Sequence, residues 1–212
     1  MRADERDEDV VRRVAGGDRA AFGILVERHE RRVYNLALRM TGREEDARDA
    51  TQEAFLTALR KLSSYRGEAA FSTWLHRVAV NTCYDLLRKR KQAPLLDRLP
   101  EHQPEPPPSP DHADASDLSI DVRRALLEVP EDYRAVMVLH DVQDLPYDEV
   151  AAIVGVPVGT VKSRLHRGRV ALARALGGVP GGERRGPADP GPAGPELERP
   201  EPSEPSDHSE TR

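Results

Sequence analysis

The chain has only one cysteine in 212 residues, Cys83. A single thiol excludes an intramolecular disulfide and any cysteine-rich zinc site. The seven histidines are scattered without the spacing of metal ligands, and the sequence has neither a phosphate-binding glycine loop nor a nucleophile elbow. These absences argue against an enzyme, and they predict no metal and no cofactor.

Long apolar runs are also missing. No stretch has the length and hydrophobicity of a transmembrane helix, and we find no signal peptide or lipidation motif. We therefore expect a cytoplasmic protein that does not insert into a membrane.

Proline is scarce outside two segments. Of the 18 prolines, 15 lie in residues 92–117 and 177–212, whose net charges without histidine are −5 (six acids, one base) and −4 (eight acids, four bases). Such segments cannot bury enough apolar surface to offset the entropy of ordering. We predict a flexible acidic linker and a disordered tail, an acidic N-terminal extension over 1–17, and two small folded blocks over 18–91 and 118–176.

The first block reads as helical throughout. Apolar residues recur at helical spacing in two stretches between Ala20 and the break at Thr41-Gly42, in a third from Glu44 to Leu62, and in a fourth from about Phe71 to Lys91. We see no strand signal, so the predicted fold is all-α. In the third helix, the residues expected to face a core are Ala47, Ala50, Ala54, Leu56, Leu59 and Leu62.

The fourth helix has an unusual polar stripe. Arg77, Asn81, Tyr84 and Arg88 follow one another at i, i+4, i+7 and i+11, and four consecutive cations end the helix. Guanidinium, amide and phenol groups suit phosphate contact, base-edge hydrogen bonding and stacking. Trp74 alone could equally be a core residue, and the stripe could be a solvated surface. Together with the nearby loop Tyr65-Arg66-Gly67, however, we interpret the stripe as a single-stranded DNA surface.

The second block contains a helix-turn-helix pattern. Gly155 stands where a turn needs positive φ, and Pro157 stands where a second helix begins. If Val161 and Leu165 face inward, the helical period turns other residues outward together: Lys162, Ser163, His166 and Arg167. Five Lys or Arg and no acid occur from 160 to 174, which is typical of a recognition helix in a DNA major groove despite the net charge of −5. The alternative is a helical hairpin with a solvated basic face.

Three motifs in this order resemble the extracytoplasmic-function (ECF) sigma factors of bacteria. They are EDARDATQEAFLTALRKL, YRGEAAFSTWLHRVAVNTCYDLLRKRK and the helix-turn-helix LPYDEVAAIVGVPVGTVKSRLHRGR. The resemblance covers about residues 18–91, as sigma region 2, and 118–176, as sigma region 4. It implies a factor that binds core RNA polymerase and directs initiation at promoters.

The resemblance also implies roles for particular residues. Contacts to the clamp helices of the largest polymerase subunit would come from Asp46, Asp49, Gln52 and Glu53. Recognition and melting of the promoter −10 element would involve Tyr65, Arg66, Gly67, Trp74, Arg77, Asn81, Tyr84 and Arg88. Recognition of the −35 duplex would involve Thr160, Lys162, Ser163, Arg164, His166 and Arg167. Further expected partners are the flap region of the second-largest subunit and an anti-sigma factor, which could hold the chain near the membrane.

One competing interpretation is a stand-alone helix-turn-helix regulator that binds operator DNA as a dimer. Such a protein needs a dimerisation element and an effector or receiver domain. The first block shows neither a phosphoacceptor pattern nor a long apolar heptad repeat. Binding to DNA with and without core polymerase would distinguish the two.

Overall fold

The computed structural model describes residues 5–92 and 120–177, and the predicted all-α fold is confirmed for them. In chain order the helices are α1 (Asp7–Ala15), α2 (Phe22–Thr41), α3 (Glu44–Lys61), α4 (Phe71–Gln92), α5 (Ile120–Glu128), α6 (Glu131–Met137), α7 (Tyr147–Val154) and α8 (Val158–Ala175). A π-helical turn, Val138–Val142, continues α6. None of these helices combines the length and apolarity needed to cross a bilayer. Apart from Gln92 and Gly177, the predicted linker and tail lie outside the described residues.

Helices α1–α4 form an N-terminal block around one apolar core. The prediction of two helical stretches before Gly42 was wrong, because α2 runs unbroken from Phe22 to Thr41. The charged residues at its middle contain no helix breaker and mostly face solvent, so they do not interrupt the backbone hydrogen bonds. The predicted break is at Gly42, which ends α2 in the left-handed conformation at φ 78°.

Helix α3 has the predicted extent, but its buried face differs from the one expected. Leu56 and Leu59 are 52% and 36% exposed, so their assignment to the core was wrong. Phe55 and Ala58 are buried in their place and continue the stripe that begins at Ala47. The two leucines are therefore available on the surface of α3.

Helix α1 lies inside the segment expected to be an acidic extension. Its valines Val10, Val11 and Val14 are buried in the core. Asp7 fixes its start to α2, since its carboxylate accepts from Arg28 Nη1 at 2.8 Å and lies 2.6 Å from His29 Nε2.

Helices α5–α8 form the C-terminal block, in which α7 and α8 make the predicted helix-turn-helix. Gly155 ends α7 at φ 70°, and Pro157 immediately precedes α8. Val161 and Leu165 are buried, as their assumed inward orientation requires. This orientation determines which side chains α8 presents to the outside.

Candidate nucleic-acid interface

The outer face of α8 carries the cations predicted for a recognition helix. Lys162, Ser163, His166 and Arg167 are all exposed. The ammonium of Lys162 lies 5.5 Å from the ring centroid of Tyr147, a cation–π contact. The Tyr147 ring in turn stacks on His140 with centroids 4.4 Å apart. The first turn of α7 therefore restrains the Lys162 side chain.

Two other arginines of α8 bind carboxylates within the C-terminal block. Arg164 is turned partly inward, with its Nη2 3.2 Å from Asp132 Oδ2. Arg169 donates from Nε and Nη2 to the two oxygens of Asp141, at 3.1 and 2.5 Å, and this raises the pKa of Arg169. A planar guanidinium can donate two parallel hydrogen bonds to one carboxylate. This pair holds α8 against the π-helical turn. No pattern within α8 predicts this pairing, because Asp141 lies 28 residues earlier in the chain.

Thr160 lies at the start of α8 and is half-buried. Its carbonyl accepts a hydrogen bond from Ser163 Oγ at 3.0 Å. Of the six residues predicted for duplex contact, the four exposed ones share one face, whereas Thr160 and Arg164 lie at its border.

Aromatic rings cluster where the loop before α4 meets the helix. Phe71 is fully buried, with Tyr65 and Trp74 packed against it at centroid distances of 5.9 and 5.8 Å. The Tyr65 hydroxyl donates to the carbonyl of Ala69 at 2.7 Å, so the loop is closed on itself. Trp74 is only half-buried and therefore both supports the core and presents an edge outward.

An open cleft of about 410 Å³ lies beside these rings. We call it the aromatic cleft; its walls include Tyr65, Arg66, Trp74, Arg77 and, from α7, Ala152. Arg66 is 82% exposed, and Gly67 next to it turns the loop at φ 73°. Aromatic edges and guanidinium groups around an open cavity fit an unstacked base with its phosphate.

The remaining residues of the predicted polar stripe do not form one continuous surface. Asn81 lines a groove of about 570 Å³ between α3 and α4, together with Asp49 and Glu53. Tyr84 is half-buried towards the C-terminal block; burial raises its pKa to about 12, and nearby Asp132 adds to the effect. Arg88 pairs with Asp85 at 2.7 Å.

The acidic face of α3 comprises Asp46, Asp49, Gln52 and Glu53. Asp49 and Gln52 are exposed, whereas Asp46 binds Arg90 Nη1 at 3.0 Å. Glu53 Oε1 accepts from Arg60 at 2.5 Å and from Thr57 at 3.0 Å, and the Arg60 bond is the main reason for its lowered pKa.

Two exposed leucines belong to the same side of α3. Leu56 and Leu59 follow Gln52 at i+4 and i+7, so helical geometry places all three along one line. Because both leucines were predicted to face the core, they were not predicted as surface residues. Their spacing fits a helix that buries these leucines as well as one that exposes them. Only the burial of Phe55 decides between these two orientations of α3.

Two family profiles match the chain over the two blocks. Sigma-70 region 2 matches residues 25–93, and Sigma-70 region 4 matches residues 119–172. The first range contains the acidic face and the loop and helix of the aromatic cleft, and the second contains α8 as far as Leu172.

Similar curated proteins cover most of the chain. The ECF RNA polymerase sigma factor SigM of Mycobacterium tuberculosis is 42% identical, covering 83% of this chain and 87% of its own. The ECF sigma factor SigW of Bacillus subtilis is 35% identical, covering 78% and 94%.

Two solved structures share the fold. CnrH in complex with the cytosolic domain of CnrY aligns at a TM-score of 0.59 with 26% identity, covering 82% of this chain and 98% of that chain. The sigma factor RpoE of Bartonella quintana, in complex with the anti-sigma factor NepR, aligns at a TM-score of 0.60 with 24% identity, covering 74% and 96%.

Proposed function

Since the chain belongs to the extracytoplasmic-function family of RNA polymerase sigma factors, we propose that it binds core RNA polymerase and selects promoters through two separate DNA contacts. Residues 18–91 act as region 2 and open the −10 element. Residues 118–176 act as region 4 and read the −35 duplex. The proposal places the chain in the cytoplasm, together with the polymerase.

One observation supports this proposal: the chain presents two surfaces of different chemistry, one suited to duplex DNA and the other to an unstacked base. The exposed cations of α8 lie on a rigid helix, which suits base edges and phosphates in a duplex groove. The aromatic cleft beside α4 suits an unstacked base, whose extrusion costs a few kcal/mol that stacking must recover. A regulator that only occupies duplex DNA needs the first surface and has no use for the second.

Contact with the polymerase is assigned to the acidic face and the leucines beside it. Asp49 and Gln52 are exposed and free to pair with basic groups of the clamp helices. Leu56 and Leu59 add exposed apolar area beside them, which resembles the apolar core of a protein interface. Region 4 would make the second contact, with the flap region of the second-largest subunit.

An anti-sigma factor is the proposed regulator. The chain is similar to CnrH, whose structure was solved in complex with the cytosolic domain of CnrY, and this similarity supports a protein partner of the same kind. A partner of this kind could also keep the chain near a membrane.

The test is transcription from a library of genomic fragments with purified chain, core polymerase, or both. We expect discrete run-off transcripts, and specific retention of promoter fragments, only when both are present. If the chain alone retains specific fragments and core polymerase adds no transcript, the stand-alone regulator is the correct interpretation. An Arg167→Ala variant on the same fragments serves as the matched control for specific duplex contact.

A further inference from the structure

The cations of α8 are restrained in two different ways. Arg164 and Arg169 each pair with a carboxylate of the preceding helical segments, which offsets much of their charge. Lys162 pairs with no carboxylate among the described residues, and its ammonium lies 5.5 Å from the centroid of the Tyr147 ring instead. An aromatic face attracts a cation through its quadrupole but carries no net charge. The ring therefore restrains Lys162 and leaves its full positive charge available to a ligand.

The Tyr147 ring is itself held in place. It is half-buried at the start of α7 and stacks on His140 with an angle of 26° between the ring planes. The imidazole of His140 is held in turn, because its Nδ1 donates to the carbonyl of Leu145 at 2.8 Å. The backbone N–H of Leu145 donates to the carbonyl of Leu139 at 3.1 Å, and Leu139 is fully buried. These contacts connect the core of the C-terminal block to the ring beside Lys162.

The position of Lys162 along α8 suits contact with a base edge. It lies four residues after Val158, the first residue of the helix, and the N-terminal part of a recognition helix is the part that reaches the bases. Its neighbour Val161 is fully buried, so the orientation of the backbone is determined at this point. An ammonium only donates hydrogen bonds, and in the major groove guanine offers two acceptors, N7 and O6.

Restraint before binding affects both the affinity and the selectivity of a lysine. A lysine side chain has many rotamers, and ordering it on DNA loses that freedom. Contact with Tyr147 removes part of the freedom in advance, so less is lost when DNA binds. A restrained ammonium also reaches fewer positions, which lets it distinguish one base edge from its neighbours.

We propose that Tyr147 is a positioning residue for duplex recognition, whose ring presents the Lys162 ammonium to one guanine of the −35 element. The assignment rests on the proposed −35 function of α8 and adds to it a residue that lies outside the recognition helix. Tyr147 acts through Lys162, and His140 acts one step further back by supporting the ring.

The test is a double-mutant cycle of Tyr147 and Lys162 in closed complexes. Duplexes are selected from a randomised library with the wild-type chain and core polymerase together, at low temperature so that the DNA stays closed. Affinity is then measured for the selected duplex and for its single-base variants. We expect Tyr147→Leu to weaken binding about threefold, the size of an exposed cation–π contact, and to reduce the preference for one guanine by the same factor.

In a Lys162→Ala chain, Tyr147→Leu should change neither the affinity nor the base preference. An equal effect of Tyr147→Leu with and without Lys162 overturns the proposal, because Tyr147 would then act independently of the ammonium. Tighter binding of Tyr147→Leu also overturns it, because the ring would then withhold the ammonium from DNA.

Substitutions of the ring separate its charge distribution from its shape. Tyr147→Phe keeps the aromatic face without the hydroxyl, so it should restore the affinity and the guanine preference lost in Tyr147→Leu. Phenylalanines with one, two and three fluorine atoms at position 147 keep the shape of the ring while the negative potential of its face decreases. We expect affinity to fall stepwise along this series, and to stay constant when Lys162 is replaced by alanine. No rescue by phenylalanine, or no trend with fluorination, overturns the proposal.

The matched control is Tyr133→Leu. Tyr133 is also half-buried, and its Cβ lies against Gly168, six residues beyond Lys162 on α8. Any effect of Tyr133→Leu on affinity should be the same with and without Lys162. If this variant shows the same coupling as Tyr147→Leu, the effect comes from general packing and the proposal is wrong. Thermal unfolding followed by circular dichroism checks that all variants keep the fold.

Run-off transcription with core polymerase keeps the two proposals apart. If the cycle shows the coupling but no selected duplex yields a transcript, the proposed function is wrong and the role of Tyr147 stands. If the selected duplexes yield transcripts but the cycle shows no coupling, the role of Tyr147 is wrong and the proposed function stands.

Discussion

His76 shows how one buried side chain makes the stability of the N-terminal block depend on pH. Its imidazole projects from α4 into the core of the N-terminal block, and burial lowers its pKa from 6.5 to about 4. A hydrogen bond with the backbone of Ser72 raises the pKa by a smaller amount. The folded state therefore keeps this imidazole neutral. The unfolded chain binds a proton at the ordinary pKa.

We predict that the free energy of unfolding falls as the pH drops from about 6.5 to about 4. In that window the unfolded state binds one more proton than the folded state, so stability rises with pH. At 1.36 kcal/mol per unit the full loss is about 3 kcal/mol. Urea denaturation at several pH values should show a shallower slope for His76→Leu than for the wild type. An unchanged slope would contradict the prediction, and His166→Leu, at an exposed histidine, is the matched control.

Residue types alone could predict the outward cations of α8, because Val161 and Leu165 determine its orientation. The same approach failed for Leu56 and Leu59. Alanine-rich α3 offers several small residues that can lie inside, so apolarity does not identify its buried face. The deciding fact is that Phe55 packs edge-on against Phe22 of α2 at 6.4 Å, and a pattern within one helix does not contain that contact.

At the scale of elements, α1 was not predicted as a helix. Its first turn contains Asp7, Glu8 and Asp9, whose charges suggested an acidic extension but are favourable beside the positive end of a helix. Burial raises the pKa of Asp7, but hydrogen bonds from Arg28 and His29 outweigh it and the net shift is downward. These partners are about twenty residues away, so local composition could not reveal them.

The surface of α3 gives a prediction about the polymerase. Leu56→Ala should lower affinity for core polymerase by about 1 kcal/mol, since burying part of a leucine side chain contributes on that scale. Because Leu56 is half-exposed in the free chain, the free energy of unfolding should change by less than about 0.5 kcal/mol. Leu176→Ala, at a comparably exposed leucine of the C-terminal block, should leave both quantities unchanged. If the two variants lose the same affinity for core polymerase, Leu56 does not lie in the interface.

For the whole molecule, the sequence predicted two blocks but not the contact between them. The bond from Arg134 to the Met40 carbonyl joins residues 94 positions apart. Its acceptor is a backbone oxygen, which every residue possesses, so no residue pattern marks the site. The division of the polar stripe on α4 has the same origin, since α7 covers one side and α3 the other.

The separation of duplex and single-strand surfaces can be tested in the complete initiation complex. Arg66→Ala should reduce promoter opening by about tenfold, the scale of one lost stacking contact with a base. Binding to closed promoter DNA should persist, because α8 is unchanged. Permanganate reactivity of thymines measures opening, and filter retention measures closed binding. Arg167→Ala should instead weaken binding to closed promoter DNA. If Arg66→Ala also weakens that binding, the assignment of the −10 surface is wrong.

Gly42 ends α2 and also lies against Leu127 of the C-terminal block. This double position restricts which residues related chains can carry here. A helix end at φ 78° alone tolerates asparagine as well as glycine. The contact between the blocks adds a second restriction, because a Cβ at this position would push the Leu127 side chain aside and loosen its packing on α2. Among related chains, those whose blocks pack in this way should therefore keep glycine here, whereas those whose blocks stay apart are free to accept asparagine. The identity of this one residue should thus distinguish relatives whose two blocks pack together at this point from relatives whose blocks stay apart.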